Sequence, residues 1–214
     1  SQAIIEHAAD KIRNGPDLGK LPKTHQAAFK ARLKWLAGAG NHQIPPKGDW
    51  WAIWLLLAGR GAGKTRCAAE WTWWEAWSNP STRWLVSAPT SADVRDTCFE
   101  GDSGLLNVMP ESIIADYIKS LHEIKLTNGS IIKGIPASEP NRFRGPQFHG
   151  GWLDELAAWE YLDESWDMLN FGMRLGQQPR LICTTTPKPK PLIIDLVNRE
   201  GEDVVLTTAS TYDN

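Results

Sequence analysis

The first fifty residues and the rest of the chain carry different patterns of apolar and polar positions. From about Gln2 to Asn14 the apolar residues recur at helical spacing, with Ile4, Ile5, Ala8, Ala9 and Ile12 on one face. Gly15 to Pro22 breaks that pattern. It resumes at Thr24, placed as an N-cap, and predicts a second helix to Leu36. Lys30, Arg32 and Lys34 give this helix a basic face, read as solvated, with DNA contact as the alternative. Gly38 to Asp49 is rich in Gly and Pro and reads as a connector.

From Trp50 onward strands alternate with helices. Ala52 to Ala58 is a nearly unbroken apolar run, as expected for a strand buried on both faces. A Gly-rich turn follows, then a predicted helix over Lys64–Trp77. Further strands are predicted at Arg83–Ala88, Gly151–Leu153, Arg180–Thr184 and Asp203–Thr208. Helices are predicted at Thr90–Phe99, Tyr161–Phe171 and Leu192–Arg199. Gly150 and Gly151 leave the start of one strand poorly marked. Glu123–Lys133 reads as a hairpin turning on Asn128-Gly129 in a type I′ turn. The alternation predicts an α/β fold, a mainly parallel sheet with helices on both faces. A helical arm over residues 1–40 would precede a core over residues 41–214.

Composition alters this picture in one respect. The 214 residues, 42% hydrophobic and 22% charged, suit an ordinary globular domain, but 12 are Trp. Trp50, Trp51, Trp54, Trp71, Trp73, Trp74, Trp77 and Trp84 surround the first core strand and helix and read as aromatic core packing. The net charge of −2 does not advertise nucleic-acid binding, although only local patches decide phosphate contact. Basic residues of the arm and of the Lys188/Lys190 loop are the candidate patches. Cys67, Cys98 and Cys183 have no metal-ligand spacing and read as reduced thiols. No apolar run is long enough to span a bilayer, so no membrane partner is expected.

The chemistry is concentrated after the first core strand. Ala58-Gly59-Arg60-Gly61-Ala62-Gly63-Lys64-Thr65 lies between a buried strand and a helix. Backbone N–H groups of such a loop form an anion nest, and the helix N-terminus adds its dipole. Lys64 can reach the β- and γ-phosphates of ATP, and Thr65 can ligate Mg²⁺. Ala58 stands where the usual pattern has its first Gly, so an ordinary tight turn is the alternative. Trp152-Leu153-Asp154-Glu155 supplies acidic partners: Asp154 for Mg²⁺, Glu155 to activate water. Asp163-Glu164 reads instead as charge complementing a helix N-terminus. Arg142 and Arg144 stand on a loop, suited to neutralise a γ-phosphate, to form structural ion pairs or to touch DNA. Cys183-Thr184-Thr185-Thr186-Pro187 ends a strand with hydroxyls that can sense a nucleotide; a Thr-rich strand terminus is the bland alternative.

Taken together, His42-Gln43-Ile44-Pro45-Pro46, the Trp50–Thr65 block, Phe143-Arg144-Gly145, Trp152–Glu155 and Thr184–Pro187 resemble the large terminase subunit of tailed double-stranded DNA bacteriophages. The likeness runs from about Leu33 to Asn214. It implies a P-loop NTPase of the additional-strand type with an N-terminal helical arm, hydrolysing ATP with Mg²⁺ to move double-stranded DNA into a procapsid. By the same resemblance Gln43 belongs to the adenine motif. Gly59, Arg60, Gly61, Ala62, Gly63, Lys64 and Thr65 are the ATP contacts. Asp154 is a metal ligand, Glu155 the catalytic carboxylate and Arg144 an arginine finger, with Arg142 and Arg60 as competitors. Thr184, Thr185 and Thr186 form the coupling motif. The implied partners are a ring of five subunits, the portal protein and the small terminase subunit, in the host cytoplasm. The family's C-terminal nuclease domain has no counterpart in these residues, so no DNA cleavage is expected of them. A helicase or RecA-like translocase, and a nucleotide-gated assembly protein without turnover, are the alternatives.

Overall fold

A computed structural model describes residues 18–209. The helix expected over Gln2–Asn14 lies outside them. Helix α1, Lys23–Gly38, comes first. Its hydrogen bonding starts at Pro22, whose carbonyl accepts from the Gln26 N–H at 3.1 Å, so Pro22 and not Thr24 is the cap residue. Strand β1, Ile53–Ala58, leads into α2, Lys64–Ser78, and β2, Arg83–Ser87. A π-helical segment, Asp93–Phe99, and a short α3, Leu105–Val108, precede the strands β3, Ile114–Ile118, β4, Glu123–Leu126, and β5, Ile131–Gly134. The chain continues through β6, Gly150–Leu153, α4, Leu162–Gly172, β7, Arg180–Thr185, α5, Pro191–Asn198, and β8, Val204–Ala209.

The strands form one sheet in the order β3-β4-β5-β2-β6-β7-β1-β8. Neighbours are parallel except β3–β4 and β4–β5. Alternation along β1 divides its side chains between two cores. Trp54 and Leu56 join α2, the π-helical segment and α3 on one face. Ile53 and Leu55 join α4 and α5 on the other. Both faces are therefore covered, which is why β1 reads as a continuous apolar run. Trp51, Trp54, Trp71, Trp73, Trp77 and Trp84 are buried as expected, while Trp50 is exposed.

Three further expectations need correction. The β4–β5 hairpin closes through the Gly129 N–H to the Leu126 carbonyl at 3.0 Å, and Gly129 has φ +86° while Asn128 is not left-handed. A type I′ turn needs positive φ at both central residues, so Gly129 is a left-handed bulge residue instead. Arg32 is not on a solvated face. It is buried between α1 and α2, donates to the Glu70 carbonyl at 3.1 Å and lies over the Trp74 ring. The helix expected over Thr90–Phe99 is a π-helix, its Glu100 N–H reaching back five residues to the Arg95 carbonyl. Thr90 caps it by exchanging hydrogen bonds with Asp93. Asp163 and Glu164 do occupy the first turn of α4.

Candidate active site

The parallel strands set the site. β7 lies between β1 and β6, with Leu57 level with Thr185 and Leu153 level with Cys183. The glycine loop leaves the C-terminal end of β1, Asp154-Glu155 that of β6, and Thr184–Thr186 that of β7 between them. Ligands of open α/β sheets gather at this edge.

The loop from Gly59 to Gly63 has two left-handed glycines, Gly61 at φ +79° and Gly63 at φ +71°, the latter at the start of α2. A side chain at either would be strained. Lys64 is buried and folds back over the loop, its Nζ donating to the Ala58 and Gly59 carbonyls at 3.0 Å each. It also lies 3.5 Å from Glu155 Oε1. Behind the loop, His42 Nε2–H donates to the Ala62 carbonyl at 3.0 Å. Gln43 is buried there, accepting the Gly40 N–H at 2.9 Å and directing its Nε2 to the Gly63 carbonyl at 3.5 Å. Gln43 therefore ties its own turn, through Gly40, to the loop, through Gly63.

Asp154 is buried at 4% exposure. Thr184 Oγ1 donates to its Oδ1 at 2.7 Å, and Trp152 Nε1 lies 3.3 Å from both atoms. Burial pushes its carboxyl up to about 6; the Thr184 hydrogen bond opposes that, and Lys64 does so more weakly. Glu155 has φ +46°, a left-handed conformation that costs a non-Gly residue about 1 kcal/mol or more. Its carboxylate accepts from the Thr186 N–H at 3.4 Å and the Thr186 hydroxyl at 3.3 Å. Trp159 Nε1 holds the Asp154 carbonyl at 3.0 Å, and Thr185 Oγ1 accepts from the Ala157 N–H at 3.1 Å. The strained turn is thus fixed from two sides.

A cleft of about 420 Å³ opens beside the loop, lined by Gly61, Gly63, Lys64 and Thr65 on one side and Asp96, Thr97, Gly101, Asp102 and Ser103 on the other. Sequence reasoning missed that second wall. It comes from the π-helical segment and the turn after it, which carry no motif. The arginines are dispersed. Arg60 is exposed, and Arg142 pairs with Glu139 at 3.4 Å. Arg144 is exposed and lines a recess with Pro146, Met168, Phe171 and Arg174, away from the Lys64 cleft.

Among the described residues no group of three or more His, Cys, Asp or Glu side chains could hold a metal. The Thr65 hydroxyl, on the cleft wall, and the Asp154 carboxylate, at the end of β6, are oxygens of the kind Mg²⁺ takes. That set suits it, since Mg²⁺ commonly takes one or two protein oxygens and fills its shell with water and phosphate. No helix among the described residues is long and apolar enough to cross a membrane.

Residues 55–214 match the family model for the terminase large subunit, T4likevirus-type, N-terminal region. The chain belongs to this terminase family. Among curated proteins none matches it. Solved structures give the fold independently. A mutant of the large terminase ATPase domain of Thermus phage P74-26 is 14% identical with a TM-score of 0.57, over 79% of this terminase chain and 83% of that one. The ADP complex of a large terminase from a thermophilic bacteriophage is 13% identical with a TM-score of 0.61, over 88% of this chain and 46% of that one. The large terminase of bacteriophage HK97 is 16% identical with a TM-score of 0.56, over 88% and 39%. The terminase chain thus spans under half the length of the last two. At these identities the likeness is one of fold.

Proposed function

We propose that this terminase chain is the ATP-hydrolysing motor domain of a machine that drives double-stranded DNA into a procapsid. The convergence of Lys64, Asp154, Glu155 and Thr186 at the ends of three adjacent strands carries the reading. The ADP complex of a relative supports the ligand class.

In this reading the N–H groups of Gly59–Gly63 and the N-terminus of α2 hold the phosphates, with Arg60 at the loop's rim. Lys64 leaves the Ala58 and Gly59 carbonyls for the β- and γ-phosphates. Thr65 and Asp154 would hold Mg²⁺, whose charge would offset that on the phosphate oxygens. Glu155 orients a water and takes its proton as the water oxygen attacks the γ-phosphorus and ADP leaves. Gln43 positions the loop near the adenine side. Arg144 serves a neighbouring subunit of a five-membered ring, and Thr184–Thr186 transmit the nucleotide state. The portal protein and the small terminase subunit are the partners, in the host cytoplasm. Helix α1 belongs to an N-terminal arm on the core that begins near residue 41.

Phosphate release by the chain, with and without duplex DNA, tests the proposal. Turnover that needs Mg²⁺ and Glu155 and rises with DNA is expected. Strand separation would replace the reading with a helicase. Tight ATP binding with no turnover in assembled protein would replace it with a gated assembly factor.

A further inference from the structure

Thr186 holds the Glu155 carboxylate through both its N–H and its hydroxyl. It is followed by Pro187-Lys188-Pro189-Lys190-Pro191. Each proline fixes its own φ near −65° and holds the residue before it extended. Lys190 is extended accordingly, at φ −86° and ψ 141°, and its N–H donates to the Lys188 carbonyl at 2.8 Å. The far end is anchored where α5 begins at Pro191, with Ile193 and Leu196 buried. The segment is therefore a short stiff bridge between Glu155's partner and a packed helix.

All five residues of this bridge are exposed. Among the described residues neither Lys188 nor Lys190 joins an ion pair. The acid nearest in sequence on α5, Asp195, is taken by Arg199. Two unpaired ammonium groups on a rigid exposed loop are suited to a polyanion. The other basic pair, Lys30 and Lys34, lines a separate groove with Trp35, Arg66 and Glu70, and in sequence neither lysine neighbours a residue that contacts Glu155.

We infer that Lys188 and Lys190 contact the sugar–phosphate backbone of duplex DNA, and that the contact acts through Pro187 and Thr186 on Glu155. The inference rests on the motor reading above and adds to it the DNA-facing loop and its route to the catalytic carboxylate. Without DNA, Thr186 and Lys64 restrain Glu155 and hydrolysis is slow. DNA on the lysines displaces Thr186 and frees the carboxylate to address water. A flexible linker would absorb such a displacement; the three prolines prevent that.

The test compares the chain with a Lys188→Ala/Lys190→Ala variant, a Lys30→Ala/Lys34→Ala control and Pro187→Gly. Phosphate release is measured with and without a duplex, and binding of a labelled duplex is followed across salt concentration. The Lys188/Lys190 variant should keep the DNA-free rate and lose the stimulation. Its slope of log affinity against log salt should shrink by about 2, close to one per phosphate contact removed. The control should remain stimulated. Pro187→Gly should bind DNA like the parent and be stimulated less. An unchanged salt slope together with full stimulation in the Lys188/Lys190 variant would overturn the contact. Full stimulation of Pro187→Gly would overturn the route. The salt slope needs no turnover, so a chain that never hydrolyses ATP would sink the motor reading while the slope still decides the contact.

Discussion

Thr184 donates its hydroxyl to Asp154 across the junction of β7 and β6, at 2.7 Å. The bond ties the strand expected to sense nucleotide to the carboxylate proposed to hold metal. Trp152 closes the triangle from the buried side. Asp154 is thereby oriented before any cation arrives, in surroundings that disfavour its charge.

That conflict has a pH signature. The ordinary Asp carboxyl titrates near 3.9, and in the folded chain Asp154 is raised to about 6. The folded state then holds the proton more tightly than the unfolded one. The stability so gained is present below pH 4 and is lost as pH rises through about 6. At pH 8 the ionised group costs up to about 3 kcal/mol. Asp154→Asn should therefore raise the melting temperature at pH 8 by several degrees, and by much less at pH 5. The same variant should lose Mg²⁺-dependent turnover. Melting curves at the two pH values decide it, since equal shifts would refute the burial argument.

Lys64 and Glu155 should separate binding from chemistry. Glu155→Gln keeps a neutral hydrogen-bonding group beside Thr186 but cannot take a proton. It should bind ATP at near-parental affinity while turnover falls about 10²–10⁴-fold. Lys64→Ala removes the ammonium that now caps Ala58 and Gly59, and should weaken ATP binding as well. Titration of a fluorescent ATP analogue alongside phosphate release checks both. A Glu155→Gln chain with the parental rate would remove Glu155 from the role of base.

The glycines at the start of β6 should resist substitution. A Cβ at Gly151 would lie 2.7 Å from the Leu85 carbonyl oxygen and 2.9 Å from Leu85 Cβ, inside the β2–β6 pairing. Backbone cannot yield there without breaking the ladder. Gly151→Ala should cost about 1–3 kcal/mol, read as a lower denaturant midpoint. Gly201→Ala meets no atom within 4 Å but sits at φ +85°, so it isolates the cost of backbone strain alone.

The same glycines show where the sequence was legible and where it was not. The loop before Lys64, the buried run of β1 and the acidic end of β6 are local signals, and each stands where expected. Gly150 and Gly151 hid the start of β6 because their constraint is the approach of β2 and Arg180, which no local pattern records. Strand β3 went unread because it is a short edge strand with half-exposed positions. Arg32 looked solvated because its partner, the Glu70 carbonyl, lies 38 residues away. The hold of Thr186 on Glu155 depends on β7 entering the sheet beside β6, a fact of topology and not of motif.

Arg144 lies just after the short turn Pro140–Phe143, which buried Phe143 pins to the core. Its guanidinium has no hydrogen bond or ion pair among the described residues, and it faces a recess apart from the Lys64 cleft. Among the described residues it is thus unengaged, as the proposed role on a neighbouring subunit requires. An arginine that stabilises developing γ-phosphate charge contributes roughly 10³–10⁵-fold. If Arg144 acts on the neighbour, a dilute monomer lacks that contribution, and turnover per chain should rise with protein concentration or on an assembled ring. Mixing separates the neighbour from the same chain. An Arg144→Ala subunit keeps Lys64 and Glu155, while a Glu155→Gln subunit keeps Arg144. Neither should turn over alone, yet a mixture should recover part of the activity, because some interfaces join an intact site to an intact arginine. Arg142→Ala should leave the recovery unchanged, since Arg142 is held by Glu139. Absence of recovery in mixtures shown by sizing to co-assemble would return Arg144 to its own chain's structure.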